Sequence, residues 1–248
     1  MAKDMKGELR DALQGKSTVF VGTMETPAER IVYHIMFNSL NAGENVIWVC
    51  LKEPPSGVLA MFSQYGLPLA GIQEGLWFVD VTITGDNQVI ERTFRCTSLD
   101  YVCLTLHVVN ILKKYPRSLV MLDSIGMLAA LGHLETTVRF IKYLDSKVRI
   151  AGGCLVTILA NRTAAGSVES ELVGLLNNVI SVNEEKIHAH MGSMELKMQY
   201  EFSGSELILS SEDIGKDLGE LFSLTPEEKK KLESEVEEKA HIYKELLE

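Results

Sequence analysis

Short apolar runs alternate with longer amphipathic segments along the chain up to Asn178. The runs are rich in β-branched residues, which predicts buried strands at Thr18–Val21, Asn45–Leu51, Leu76–Val81, Ser118–Leu122 and Cys154–Leu159. The segments between them have helical spacing, at Ala28–Leu40, Val58–Tyr65, Leu99–Leu112 and Thr136–Leu144. Near-continuous apolar strands separated by helices predict an α/β fold, with a mostly parallel sheet flanked by helices on both faces.

After Asn178 the pattern becomes that of strands joined by tight turns. The expected strands are Asn178–Asn183, Met194–Phe202 and Glu206–Ser210. Gly192 and Gly204, each followed by Ser, supply the residues that such turns need. This part of the chain therefore predicts an antiparallel extension at one edge of the sheet.

The C-terminal segment, residues 211–248, has a different character. Thr225 followed by Pro226 predicts the start of a helix, and an apolar stripe from Leu232 to Leu247 follows at intervals of three or four residues. We predict an α/β core over residues 1–210 and an acidic helical appendage over residues 211–248. The stripe favours packing on the helix's own domain, with presentation to another subunit as the alternative.

Composition removes several classes of function. The chain has 248 residues and a net charge of −10, of which six units lie in residues 211–248, so a nucleic-acid surface is not expected. No apolar run approaches the roughly 20 residues of a membrane span. The four cysteines contain no C-x-x-C pair, which favours buried free thiols. A soluble cytoplasmic protein is the resulting expectation.

The first predicted strand ends at Gly22, where a phosphate-binding loop of the form G-x-x-x-x-G-K-[ST] would begin. Pro27, Ala28 and Glu29 stand at the second Gly, the Lys and the Ser/Thr positions. Pro27 lacks an N–H donor, and Ala28 lacks a positive charge. Glu29 adds a negative charge beside the place where phosphate would lie. Each change opposes phosphate binding.

The same segment has the sequence pattern of a helix N-terminus. Thr26 as N-cap, Pro27 as first helical residue and Glu29 form the pattern of a capping box, in which side chains satisfy the free N–H groups of a helix start. We hypothesise that a vestigial phosphate loop has been converted from ligand capture to self-capping. The residues of this candidate cofactor site are Gly22, Thr23, Thr26 and Glu29, together with Asp123 and Ser124.

Asp123 and Ser124 follow the strand predicted at Ser118–Leu122. A carboxylate at the tip of an inner strand is where nucleotide hydrolases hold Mg²⁺ through water. The alternative is an Asp that caps the following turn. The order of this strand after the Gly22 loop favours the first interpretation.

The chain resembles the RecA superfamily, and most closely its KaiC-like branch, over about residues 16–210. The resemblance rests on Val19–Thr23, Asn45–Glu53, Ser118–Ser124, Leu155–Arg162 and Leu172–Val182. It implies a RecA-like ATPase core in which two acidic residues after the second strand activate water. Lys52 and Glu53 stand at those positions, so one carboxylate has become a cation.

The resemblance also implies roles for residues further along the chain. Asp123 matches the Mg²⁺ residue, while Asn161 and Arg162 match the region that senses the nucleotide. Glu53 and Asp123 are therefore vestigial catalytic candidates.

Two functions compete. The favoured one is a non-catalytic RecA/KaiC-like protein, a pseudo-ATPase without a cofactor, which acts in regulation or as a scaffold by binding a protein partner or forming a homo-oligomer. The alternative is a KaiC-like ATPase that binds ATP and Mg²⁺ with a non-standard loop, a Lys or Arg from elsewhere replacing the lost Lys. An enzyme of another chemistry using Asp123 and Glu53 is a third interpretation.

His188 and His190 would share a face if they lie on a strand, and two such ligands can begin a zinc site. No further Cys or His lies nearby in the sequence. The pattern therefore favours a solvated hairpin face over a metal site.

Overall fold

The computed structural model describes residues 13, 15–22, 27–82, 90–96, 99–131, 133–160, 173–191 and 194–211. Within these ranges one sheet contains the strands β1 Ser17–Gly22, β2 Val46–Cys50, β3 Leu76–Asp80, β4 Thr93–Arg95, β5 Leu119–Asp123, β6 Cys154–Ala160, β7 Asn178–Val182, β8 Lys186–Met191, β9 Met194–Ser203 and β10 Glu206–Ser211. The helices are α1 Ala28–Asn41, α2 Pro55–Gln64, α3 Tyr101–Lys114, α4 Ile125–Leu131 and α5 Leu134–Ile150.

The strands follow the order β10-β9-β8-β7-β1-β6-β5-β2-β3-β4. Strand β1 pairs in parallel with β6 and β7, and β2 pairs in parallel with β3 and β5. Strands β7, β8 and β9 pair antiparallel at the other end. The predicted α/β fold, a mostly parallel sheet with an antiparallel edge extension, is confirmed.

The parallel strands are apolar throughout because both of their faces are buried. In β2, Trp48 and Cys50 point into one core, whereas Ile47 and Val49 point into the other. The first core contains the buried side chains of α1 and α2, and the second contains those of α3 and α5. Alternate residues of each strand therefore fill opposite layers, as a three-layer α/β arrangement requires.

The parallel register brings several strand ends to one edge. Cys50 lies opposite Asp80 on one side and opposite Asp123 on the other. Gly22 ends β1, which is separated from β5 by β6 alone. The carboxyl edge thus gathers Gly22, Cys50, Asp80 and Asp123, and this is where ligands bind in open α/β sheets.

Three elements differ from the sequence expectations. The short strand β4, the helix α4 and the strand β8 were not among the predicted elements. Strand β4 has three residues, too few to show a periodicity.

None of the helices in the described ranges has the length and apolar character of a membrane span. The predicted C-terminal helix lies outside the described residues.

The expectation of four free thiols is wrong for one pair. Cys96 and Cys103 form a disulfide, with their Cα atoms 6.1 Å apart. Cys96 follows β4 directly and Cys103 lies in the first turn of α3, so the disulfide joins residues of two elements that share no short sequence motif. Cys50 and Cys154 are free and buried, as predicted.

Candidate functional site

The phosphate-loop position predicted from the sequence lies between Gly22, the last residue of β1, and Ala28, the first residue of α1. Pro27 occupies the N-cap, with φ −82° and ψ 29°. The helix therefore begins one residue later than the capping-box pattern predicts. Thr23 and Thr26 lie outside the described residues, so the contact predicted for Thr26 stays a prediction.

Glu29 has an ion-pair partner from another strand end. Its carboxylate Oε1 lies 3.8 Å from the Nζ atom of Lys52, which follows β2. Both side chains are partly exposed, at 36% and 48%. A pair at this exposure contributes little stability, at most about 1 kcal/mol. The pair lies at the position for which the sequence predicts a vestigial phosphate loop.

Asp123 ends β5 with its side chain almost fully enclosed, at 4% exposure. Burial and, to a smaller extent, the Glu29 charge raise the pKa of this carboxyl to about 6, against the opposing effect of the Lys52 ammonium. The ionised form of Asp123 is therefore disfavoured by its surroundings. The local field already resists additional negative charge.

Cys50 lies between two strand-end carboxyls, Asp80 and Asp123. Burial raises the pKa of the Cys50 thiol well above its ordinary value, and the charges of Asp80 and Asp123 raise it further. The thiol is thus held protonated, and it is a poor candidate for a nucleophile or a metal ligand.

Asp80 is a residue of this edge that the sequence analysis missed. Its Oδ1 accepts hydrogen bonds from the N–H and the hydroxyl of Thr82, at 2.9 and 2.6 Å, and its Oδ2 lies 3.8 Å from Arg95 Nε. The sequence did contain a signal for this residue, because β3 and β5 are both apolar strands that end in Asp. These contacts turn the Asp80 carboxylate toward its own loop.

The position of Asp123 is fixed through the next strand of the sheet. The Thr157 hydroxyl in β6 donates to the Leu122 carbonyl at 2.8 Å and accepts from the Ile125 N–H at 3.1 Å. The Ser124 carbonyl accepts from Met127 N at 3.1 Å, which opens α4. One buried hydroxyl therefore holds the residues on either side of Asp123 and Ser124, which are Leu122 and Ile125.

Glu53, the remaining candidate for a catalytic base, lies against the start of α2. Its carboxylate Oε2 lies 3.1 Å from the point that a Cβ on Gly57 would occupy. A carboxylate at a helix N-terminus is stabilised by the helix dipole. Among the charges that act on Asp123, Glu53 has a smaller effect than Glu29 and Lys52. Glu53 is thus packed against the first turn of α2.

An aromatic cluster underlies this edge. The ring of Tyr33 from α1 lies 4.7 Å from that of Trp48, 4.8 Å from Phe62 and 5.3 Å from Tyr65. Burial raises the pKa of the Tyr33 hydroxyl far above its ordinary value, and the charges of Asp123 and Glu29 act in the same direction. Tyr33 is therefore a neutral, buried residue beneath this edge.

The remaining sequence candidates lie elsewhere. Asn161 and Arg162 fall outside the described residues. His188 and His190 share one face of β8, opposite Lys197 and Glu195 of β9. Within the described ranges, the one group of three residues with converging metal-ligand atoms is Cys96, Cys103 and His107.

No protein-family model matches the sequence, and no curated protein matches it significantly. Solved structures do match, which shows an α/β fold of the RecA-like, KaiC-like type.

Two solved structures illustrate this likeness. One is the KaiC-like protein PH0186 from the hyperthermophilic archaeon Pyrococcus horikoshii OT3, with a TM-score of 0.60 and 13% identity over 80% of this chain and 94% of that one. The other is the uncharacterized protein PH0321 from Pyrococcus horikoshii in complex with an unknown peptide, with a TM-score of 0.60 and 13% identity over 80% of this chain and 93% of that one.

Proposed function

We propose that this chain is a RecA/KaiC-like pseudo-ATPase, a protein that has lost nucleotide hydrolysis and acts as a regulatory or scaffolding subunit through protein contacts. The observation that carries the proposal is the ion pair between Glu29 and Lys52 at the phosphate-loop position. This pair supports a site in which two side chains of opposite charge neutralise each other without a ligand.

The first step of the argument concerns the loop itself. A phosphate loop works because free N–H groups and a Lys surround an anion at a helix N-terminus. At the start of α1, Pro27 at the N-cap has no N–H and Ala28 has no charge. Losing one charge-assisted phosphate contact costs about 1.5–3 kcal/mol, and several such losses coincide here.

The second step concerns charge. A nucleoside triphosphate would bring several negative charges to an edge that already holds Glu29, Glu53 and Asp123. The raised pKa of Asp123, at about 6, reports how strongly burial and Glu29 disfavour negative charge there. Lys52 offsets part of this field and is already paired with Glu29.

The third step concerns catalysis. Of the two positions that would activate water, one is Lys52, which cannot accept a proton while protonated. The other, Glu53, lies against Gly57 and the first turn of α2. A base directed at a helix start is poorly placed to orient water above a phosphate.

A role in protein contacts is supported by the helices on the other side of the sheet. Val102 and Leu106 on α3 are 67% and 57% exposed, and they are spaced to share one face. Tyr143 and Ile150 on the neighbouring α5 are exposed as well. The peptide bound to PH0321, a protein of the same fold, is compatible with such a role. Homo-oligomer formation and a cytoplasmic location belong to the same proposal.

One observation favours the alternative, a KaiC-like ATPase with a non-standard loop. Lys52 brings an ammonium group within 3.8 Å of the carboxylate that stands at the Ser/Thr position. If Glu29 turned away, Lys52 would be placed to neutralise a phosphate in the role of the lost loop Lys, with Asp123 toward Mg²⁺.

Phosphate release from ATP with Mg²⁺ tests the proposal, together with a mass measurement of the particle in solution. We expect no release above the level of an Asp123→Asn variant, since no turnover depends on that carboxylate. Turnover that Asp123→Asn abolishes, while the variant keeps its fold by circular dichroism, would establish the ATPase alternative.

A further inference from the structure

We propose that Cys96, Cys103 and His107 form a zinc site. The disulfide between the two cysteines prevents zinc binding, and reduction of the disulfide makes the site available. The three residues lie at the end of β4 and on one face of α3. The Cys96 side chain belongs to the core on the α3 side of the sheet, the face opposite the cleft of Asp123. The site is thus independent of the proposed loss of nucleotide binding.

The geometry comes from one helix and one strand end. Cys103 and His107 are four residues apart on α3, so their side chains lie one turn apart on the same face. Cys96 approaches this face from the end of β4. The two Sγ atoms and an imidazole nitrogen all lie within 4.8 Å of one another. Ligand atoms around tetrahedral zinc are about 3.3–3.8 Å apart, which side-chain rotation alone can provide.

The supporting contacts hold each ligand in place. The Cys96 N–H donates to the Asp80 carbonyl at 2.8 Å, and the Cys103 N–H donates to Asp100 Oδ1 at 3.2 Å. The His107 ring stacks on Phe94, with centroids 4.9 Å apart and planes 24° apart. Fixed backbones and an oriented imidazole are what a metal site needs before the metal arrives.

The chemistry of the donors selects the metal. Two thiolates and one imidazole are typical zinc ligands, and three protein ligands leave a fourth position for water. In a reducing compartment, cysteine pairs act more often in metal binding or catalysis than as structural disulfides. Cys96 is buried, whereas Cys103 and His107 are half-buried, so a metal ion and a reductant can approach from the helix side.

The switch is a balanced exchange. A dithiol reductant breaks the S–S bond, gives two electrons and two protons to the sulfurs of Cys96 and Cys103, and becomes a disulfide itself. Zn²⁺ then displaces the two thiol protons and binds two thiolates. The disulfide form of that reductant reverses both steps by thiol–disulfide exchange: it takes up two electrons and two protons, the Cys96–Cys103 bond re-forms, and the metal ion is released. Zinc and the disulfide therefore exclude each other.

Zinc uptake by the full chain tests the proposal, with a chromophoric chelator reporting the free metal. We expect the reduced protein to take up one zinc per chain and the oxidised protein to take up none. In the reduced protein, zinc should also protect Cys96 and Cys103 from alkylation, as seen by peptide mass mapping, and Co²⁺ should produce a thiolate charge-transfer band. Neither readout needs a variant that must fold.

Matched variants separate this site from other thiols and imidazoles. Cys96→Ser and Cys103→Ser should abolish stoichiometric uptake, and His107→Ala should weaken it by at least about tenfold. Cys154→Ala and His190→Ala, which change a buried thiol and an imidazole elsewhere, should leave the affinity unchanged. Equal uptake by wild type and the Cys96→Ser variant, or loss of uptake in His190→Ala, would overturn the proposal.

Discussion

The Lys52 ammonium lies 3.8 Å from the Glu29 carboxylate, and this contact joins the residues that follow β2 to the first turn of α1. The sequence predicts that Glu29 stands at a hydroxyl position of a vestigial phosphate loop and that Lys52 stands at a carboxylate position after the second strand. Under the proposed function the two departures compensate each other, because either one alone would lack this counter-charge at the carboxyl edge.

Burial has the largest effect on the pKa of Asp123, and the two members of the pair shift this pKa in opposite directions. Because Glu29 raises the pKa of Asp123 and Lys52 lowers it, Glu29→Gln should move this pKa downward from about 6 and Lys52→Met should move it upward. Carboxyl chemical shifts followed by NMR across an acid titration measure both effects.

A matched control for that titration is Glu135→Gln, which removes the carboxylate of an exposed ion pair with Arg139 on α5. It should leave the pKa of Asp123 unchanged. Shifts of the same sign in Glu29→Gln and Lys52→Met would refute the electrostatic description of the cleft.

The ionisation of Asp123 also makes stability depend on pH. Its pKa is 3.8 in the unfolded chain and about 6 in the folded one, so the folded state binds more protons between these values. This group therefore favours folding most at low pH, and its contribution falls as pH rises through 4 to 6. Asp123→Asn should raise the free energy of unfolding at pH 8 by about 3 kcal/mol and have little effect at pH 4.

Denaturant melts of the wild type and Asp123→Asn at both pH values give this difference. An increase in stability of equal size at pH 4 and pH 8 would show that packing, and not ionisation, is responsible.

The Thr157 hydroxyl should be essential to the geometry around Asp123. Thr157→Val keeps the shape but leaves the Leu122 carbonyl and the Ile125 N–H, both buried, without this partner. We expect a loss of about 1–3 kcal/mol in the free energy of unfolding. Thr157→Ser retains the hydroxyl and loses only the methyl group, so it should recover most of this stability. A Thr157→Val variant no less stable than Thr157→Ser would contradict the role of the hydroxyl.

Reduction of the disulfide should destabilise the core. Cys96 and Cys103 are separated by seven positions, and closing a loop of this size stabilises a fold by roughly 2–3 kcal/mol in the chain-entropy description. The thermal midpoint should fall when a reductant is added. The Cys96→Ser variant serves as the control, because its midpoint should not respond to the reductant.

The sequence was sufficient for the parallel core because both faces of each strand are buried. An uninterrupted run such as Val46–Cys50, followed by an amphipathic helix, has few other solutions. Strand β4 escaped notice because Thr93–Arg95 is too short to show periodicity and is held by its pairing with β3. Asp123 was found from its place at a strand end, and Asp80 could have been found by the same criterion.

Contacts between residues that are distant along the chain could not be predicted from the sequence. The capping-box pattern directs Glu29 to its own helix, whereas the folded chain places Glu29 beside Lys52, because β2 ends next to the start of α1. The contact between Cys96 and Cys103 likewise depends on the position of the end of β4 beside the start of α3. Local patterns predict local partners, and both of these contacts depend on the tertiary fold.

A calorimetric titration with ATP and Mg²⁺ tests the central claim most directly. Ala28→Lys/Glu29→Thr is the matched comparison, since it restores the loop cation and hydroxyl and removes the carboxylate. We predict no saturable heat for the wild type in the low micromolar range and an ATP affinity at least about tenfold higher for the double variant. Low-micromolar binding of ATP by the wild type, abolished in Lys52→Met, would contradict the account.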